Sequence, residues 1–370
     1  MIDWDSPTDS IHGCLLGTAV GDALGLPYEG LTPRRAKRML GPPDRYRFFF
    51  GRGMVSDDTD HAIMTAAALL WSRKRTEEVT GDSGRSSDRL EHFDIGRFET
   101  VLAKQLKWWL ASIPAGVGFA TLRSILKLWL GWSPASSGVF SAGNGPAMRA
   151  PILGVVIDDI EALKAFVRCS TRMTHSDPKA EYGALVVALA AHLAVRDRYI
   201  TGQRFLETVM QHLPAEATEL LSLLAKTVQS VDSKQSSQDF AISLGLANGV
   251  TGYINHTVPV CIHAWLSFPH DFESAIRCVI ECGGDADTTA AITGGIVGAS
   301  VGASKIPAVF ASGLFGCTPG PEFVSGMFES RITLPNSVLS DNWSLRFLRN
   351  VFLFLPLVLF HGFRRTLPPY

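Results

Sequence analysis

The chain of 370 residues is 46% hydrophobic and 19% charged, a composition that folds into a globule and excludes disorder, collagen and a disulfide-stapled miniprotein. Its 34 Lys and Arg against 35 Asp and Glu leave a formal charge of -1, so no global basic field exists to hold nucleic acid or an anionic lipid surface. Specificity must come from a local site.

Taken in chain order, a 3.6-residue apolar period predicts helices over 11–24, 60–71, 98–111, 121–130, 160–169, 180–196, 203–212, 218–230, 272–282 and 288–301. Alternating strands are scarce and no βαβ rhythm appears, which predicts an all-α fold. Residues 73–97 are rich in charge, Ser and Gly without periodicity and read as an exposed insertion. The longest apolar run, 351–360, covers ten residues and contains Pro356, against roughly 20 for a spanning helix. No membrane span is expected, and the basic, apolar tail 341–370 is expected to dock on a catalytic domain of residues 1–340. Six cysteines, Cys14, Cys169, Cys261, Cys278, Cys282 and Cys317, lie in apolar stretches with no CxxC pair. With no N-terminal signal sequence, this predicts reduced thiols in a cytoplasmic protein.

Two glycine ladders stand out: Gly13, Gly17, Gly21 and Gly25, then Gly294, Gly298 and Gly302. Residues four apart share one helical face, so each ladder makes a bare stripe suited to close packing of two helices. The G-x-S-x-G pattern at 298–302 falls inside this predicted helix with no preceding strand, unlike a serine nucleophile elbow. Gly116-Val117-Gly118 and Gly143-Asn144-Gly145 lack the third glycine and the frame of a dinucleotide fold.

The chemistry concentrates in two acid clusters. Ser56-Asp57-Asp58-Thr59-Asp60 stands before one predicted helix, and Asp285-Ala286-Asp287-Thr288-Thr289 follows Gly283-Gly284 before another. A cap and a first-turn acid account for one Ser or Asp and one Asp in each. The remainder repel one another unless a cation separates them, and hard divalent ions favour such oxygens. Five carboxylates from two distant loops thus suit one site holding two cations, with solvent completing their shells.

The ordered motifs GCLLGTAVGDALGLPYE (13–29), SDDTD (56–60), GNGPAMR (143–149), TRMTHSDP (171–178), TGY (251–253) and GGDADTTAAITGGIVGA (283–299) resemble the ADP-ribosylglycohydrolase family. That family includes the dinitrogenase reductase-activating glycohydrolases. The resemblance implies a single compact all-α, multi-helix domain with a central dinuclear metal site. It implies two divalent cations, Mg2+ or Mn2+, on Ser56, Asp57, Asp58, Asp285, Asp287 and Thr288. Glu29, with Asp57 and Asp58, falls at the catalytic acids; Gly116 and Gly118 fall where backbone amides wrap a diphosphate. Ser141, Asn144 and Gly145 match ribose and phosphate contacts, and His175 a contact near the nucleotide. By its residue type alone His175 reads as a capping or core histidine, and Arg149 as an ion-pair partner within the fold.

The implied activity is removal of ADP-ribose from a modified protein, with arginine as the expected acceptor. His256 replaces an acid common in arginine-directed members, and Ala142 an aromatic of serine-directed ones. The alternative is a protein that binds ADP-ribose, or occludes a cognate ADP-ribosyltransferase, without turnover. Immunity to such a transferase acting as a toxin would combine both readings.

Overall fold

The glycine ladders set the centre of the molecule. In the computed structural model, which describes residues 7–73, 93–197, 199–315, 320–330 and 343–366, the first ladder lies on the helix Pro7–Gly25 and faces the helix Ala286–Val301. A Cβ at Gly17 would meet the backbone of Gly294, and one at Gly13 that of Gly298. The two backbones therefore touch directly, which offsets the roughly 1 kcal/mol that each glycine costs a helix. Gly302 ends the second helix with a φ of 80°, a left-handed conformation open to glycine.

Around this pair pack the helices Asp57–Ser72, Pro178–Arg196 and Ile254–Ser267. The described residues are mostly helical, and their named strands are a two-residue parallel pair, Gly53–Met54 with Leu314–Phe315.

Ile254–Ser267 has no counterpart among the predicted helices. It is apolar and buried nearly all round and holds Pro259 internally, so neither a polar face nor an uninterrupted run marks it. Proline, glycine and short length hid Pro151–Val156 likewise.

The insertion is shorter than 73–97 suggests. Asp94 caps the helix Ile95–Ala111 by accepting from the Arg97 amide at 2.9 Å, and Phe93 stacks edge-on against Phe166 at 6.2 Å. Residues 74–92 lie outside the described residues, as does Cys317. The five described cysteines are free thiols, three of them buried.

The tail differs most from its sequence reading. Trp343–Arg349, Asn350–Phe354 and Leu355–Thr366 follow one another as a continuous helix despite Pro356. Of it, Trp343–Phe363 is long and apolar enough, by length and composition alone, to cross a membrane, more than the ten-residue run suggests, but one helix of this kind makes no clear span. Yet Arg349, Asn350, Phe354 and His361 are buried against the core.

Candidate functional site

Both acid clusters open onto one cleft of about 570 Å³. Asp57 and Asp58 occupy the first turn of Asp57–Ser72, whose cap is Ser56. The Ser56 hydroxyl accepts from the Asp58 amide at 3.3 Å and donates to Asp58 Oδ2 at 3.2 Å. Asp285 precedes Ala286–Val301, and Asp287 and Thr288 lie in its first turn. Thr288 Oγ1 donates to the same Asp58 Oδ2 at 3.2 Å. This bond ties residues 230 positions apart.

Gly283 and Gly284 make that convergence possible. Both have positive φ, and Gly284 is pressed between Val250 and the backbone of Leu31, donating to the Leu31 carbonyl at 2.8 Å. Asp285 N donates to Val250 O at 2.8 Å. The second acid loop is thereby clamped between the chain after Glu29 and the 250–252 turn.

Glu29, Ser56, Asp57, Gly116, Gly118, Ser141, Asn144, Gly145, His175, Asp285, Asp287 and Thr288 all line the cleft. Asp58 lies just beneath, buried. Asn144 is partly committed within the protein: its Nδ2 donates to Asp285 Oδ2 at 2.7 Å and to Thr257 Oγ1 at 3.0 Å. The His175 ring lies against Gly143 and Gly145, where a Cβ would crowd it. Burial, then the Arg149 guanidinium, lowers its pKa to about 3. It is a neutral imidazole near pH 7.

Arg149 departs from the ion-pair expectation. Completely buried, it donates to Ser170 Oγ, Ser170 O and Thr174 Oγ1 at 2.9, 2.7 and 2.7 Å and pairs with His61 Nδ1 at 3.0 Å. These neutral partners satisfy its guanidinium, and burial lowers its pKa to about 10. Asp60 also departs. Its carboxylate faces Arg349, Arg346 and the Trp109 indole, so the fifth acid braces the fold.

Asp22 is the acid that the sequence did not assign. Its Oδ2 accepts from Ser56 N at 2.8 Å, Thr59 N at 3.2 Å and Thr59 Oγ1 at 2.5 Å, holding the first acid loop in place. A carboxylate in an otherwise apolar, glycine-striped helix was the available signal. Burial lifts it to about 6, against those hydrogen bonds. Burial and then neighbouring carboxylates push Asp57, Asp58 and Asp287 well above the ordinary range. Phe119, Thr121, Phe354 and Val358 also line the cleft unannounced by any motif, and Thr251 of the TGY motif lines it too.

Among the described residues no three His, Cys, Asp or Glu side chains form a ready-made metal cage. Even so, Asp22 Oδ1, Asp58 Oδ1 and Asp287 Oδ1 are buried with no hydrogen-bond partner. Buried acceptors without donors are costly, and carboxylate and hydroxyl oxygens are the donor set of hard divalent cations. The residues present fit such ions.

The sequence profile of the ADP-ribosylglycohydrolase family matches residues 3–331. The chain belongs to this family. It is 27% identical over 342 residues to ADP-ribosylhydrolase ARH3 of Gallus gallus, covering 81% of this chain and 88% of that protein. It is 26% identical over 314 residues to the ADP-ribosyl-[dinitrogen reductase] glycohydrolase of Rhodospirillum rubrum, covering 83% and 90%. A solved ADP-ribosylglycohydrolase-related protein complex shares the fold, with a TM-score of 0.54 and 23% identity over 88% of this chain and 99% of that one. This ADP-ribosylglycohydrolase is an ADP-ribosyl hydrolase, acting to remove ADP-ribose from modified acceptors.

Proposed function

We propose that this ADP-ribosylglycohydrolase releases ADP-ribose from modified protein, with arginine the acceptor, in a reaction that depends on two divalent cations, Mg2+ or Mn2+. The observation that carries the metal reading is the meeting of the two acid loops at the cleft floor, where Asp58 Oδ1 and Asp287 Oδ1 are buried without donors. Ser56, Asp57, Asp58, Asp285, Asp287 and Thr288 would hold the ions, which supply charge compensation and Lewis acidity.

Hydrolysis adds water across the bond between the ribose anomeric carbon and the acceptor. The hydroxyl ends on the ribose and a proton on the departing nitrogen. We assign the diphosphate to the backbone at Gly116 and Gly118, and the ribose and phosphate oxygens to Ser141, Asn144 and Gly145. His175, neutral, contributes hydrogen bonding and shape near the nucleotide rather than charge. Positive charge develops on the sugar as the bond breaks. We assign its stabilisation to Asp57 and Asp58, and the relay of the proton to Glu29, at the end of the turn Leu26–Tyr28. Holding ligand in one geometry beside these acids is itself a large part of the rate.

The test is released ADP-ribose from arginine-linked and serine-linked ADP-ribosyl protein, with metal-saturated and chelated enzyme. Release from the arginine-linked substrate, lost on chelation and restored by Mg2+ or Mn2+, is expected. Release from serine-linked substrate alone would overturn the acceptor assignment, and full activity under excess chelator the metal dependence.

A further inference from the structure

The family match ends at residue 331, yet two side chains beyond it line the cleft, Phe354 and Val358. They belong to the C-terminal helix, in which Asn350–Phe354 is wound as a wider π-type stretch. Pro356 lies two residues beyond its last residue. It has no N–H to donate and its ring crowds the carbonyl four residues back, a clash that wider turns relieve.

With this winding Phe354 points inward and is 2% exposed. It packs against Phe48 at 6.2 Å between ring centroids and shares a small apolar cluster with Leu26, Met54 and Ala115. Leu26 begins the turn that ends at Glu29, and Ala115 directly precedes Gly116.

Three polar attachments seat the helix. Arg349 Nη2 donates to Asp60 Oδ2 at 3.1 Å. Asn350 Nδ2 donates to the carbonyl and hydroxyl of Ser112 at 3.0 and 3.2 Å, at the start of the loop carrying Gly116. His361 Nε2 lies 3.2 Å from the Phe48 carbonyl, with its ring stacked on Phe48 at 4.5 Å. These contacts hold the helix on both sides of Phe354 and Val358.

The other side of the lining is polar and glycine-rich, with the His175 ring against Gly143 and Gly145. If the nucleotide and diphosphate take that side and the Gly116 loop, the surface left is the apolar one made by Leu26, Phe354 and Val358, with Leu26 at the start of the turn that ends at Glu29. An aliphatic stem carrying a polar tip suits such a wall next to a carboxylate.

We infer that Phe354 and Val358 select the acceptor: they form an apolar wall, supplied by a helix outside the family's matched region, that limits the group attached to ADP-ribose. The inference rests on the hydrolase reading above. Filling the cleft at Val358 should exclude large acceptors, and trimming Phe354 should admit them. A pocket contact of this kind is worth about tenfold in discrimination.

The experiment compares kcat/KM for free ADP-ribosyl-arginine and for a protein carrying the same linkage, in full-length wild type, Val358→Phe and Phe354→Ala. Affinity for ADP-ribose is measured by calorimetry and folding by thermal melting. Val358→Phe should lower the protein-to-small-substrate ratio by about tenfold and Phe354→Ala should raise it, with ADP-ribose affinity the same in all three. Equal changes for both substrates, or an unchanged ratio in Val358→Phe, would overturn the inference. If wild type binds ADP-ribose but releases none from either substrate, the hydrolase reading fails separately. The wall is then judged by affinity for an ADP-ribosylated peptide relative to ADP-ribose, and an unaltered ratio in both variants overturns it.

Discussion

Arg349, in the C-terminal helix, and Asp60, in the first turn of Asp57–Ser72, form a buried ion pair at 3.1 Å between residues 289 positions apart. Burial alone would raise the Asp60 carboxyl, but Arg349, Arg346 and the Trp109 indole outweigh it and hold the pKa below the ordinary range. The same helical turn thus sends Asp57 and Asp58 toward the cleft and Asp60 toward the tail.

Removing Arg349 takes away the nearer cation and leaves the buried Asp60 carboxylate only Arg346 at 4.0 Å and the Trp109 indole. Arg349→Ala should cost about 3 to 5 kcal/mol of stability, as breaking a buried pair typically does. The double variant Arg349→Ala with Asp60→Asn should recover part of that loss, since no buried carboxylate is then left without its nearer cation. Urea unfolding of both proteins measures it, and additive losses would show that the two residues do not act as a pair.

Asp287→Asn should weaken binding of Mg2+ or Mn2+ and lower ADP-ribose release by orders of magnitude, with the fold intact. The substitution is nearly isosteric and removes one of several mutually repelling acids. Metal titration by calorimetry and release assays after chelation and re-addition test it. An unimpaired Asp287→Asn enzyme would end the metal reading.

His175 should make folding acid-sensitive. Its pKa is about 3 in the folded protein against roughly 6.5 in the unfolded chain, so below 6.5 the unfolded state takes the proton first. The stability it contributes is complete above that value and declines as pH falls toward about 3. Denaturation across this window should show a wild-type loss that His175→Gln lacks. Parallel pH profiles for the two proteins would contradict it.

Gly17→Ala should destabilise, although at an exposed helical site the same change gains about 1 kcal/mol. The new methyl would meet the Gly294 backbone, which cannot rotate away, and overpacking of this kind costs about 1 to 3 kcal/mol. A raised melting temperature in Gly17→Ala would mean that the two ladder helices are not in contact.

Much of this protein is written locally. The four-residue glycine spacing determines that two helices must approach closely, because a bare stripe has no other use in a folded core. Acids bunched at helix starts after glycine turns determine a charged, cation-seeking loop, because neighbouring carboxylates repel wherever they sit. What local pattern could not determine is which acid faces which way. Asp60 belongs to the same run as Asp57 and Asp58, and only its position on the helix, against Arg349 and Trp109, turns it from the cleft. Asp22 lies beside the glycine ladder with no local sign of its role, which appears only when folding brings Ser56 and Thr59 to its carboxylate. The helix Ile254–Ser267 is buried nearly all round, so its sequence carries no polar face for a period to reveal. The wall of Phe354 and Val358 was equally hidden: apolar side chains announce only that they need burial, and the tertiary structure alone decides what they are buried against.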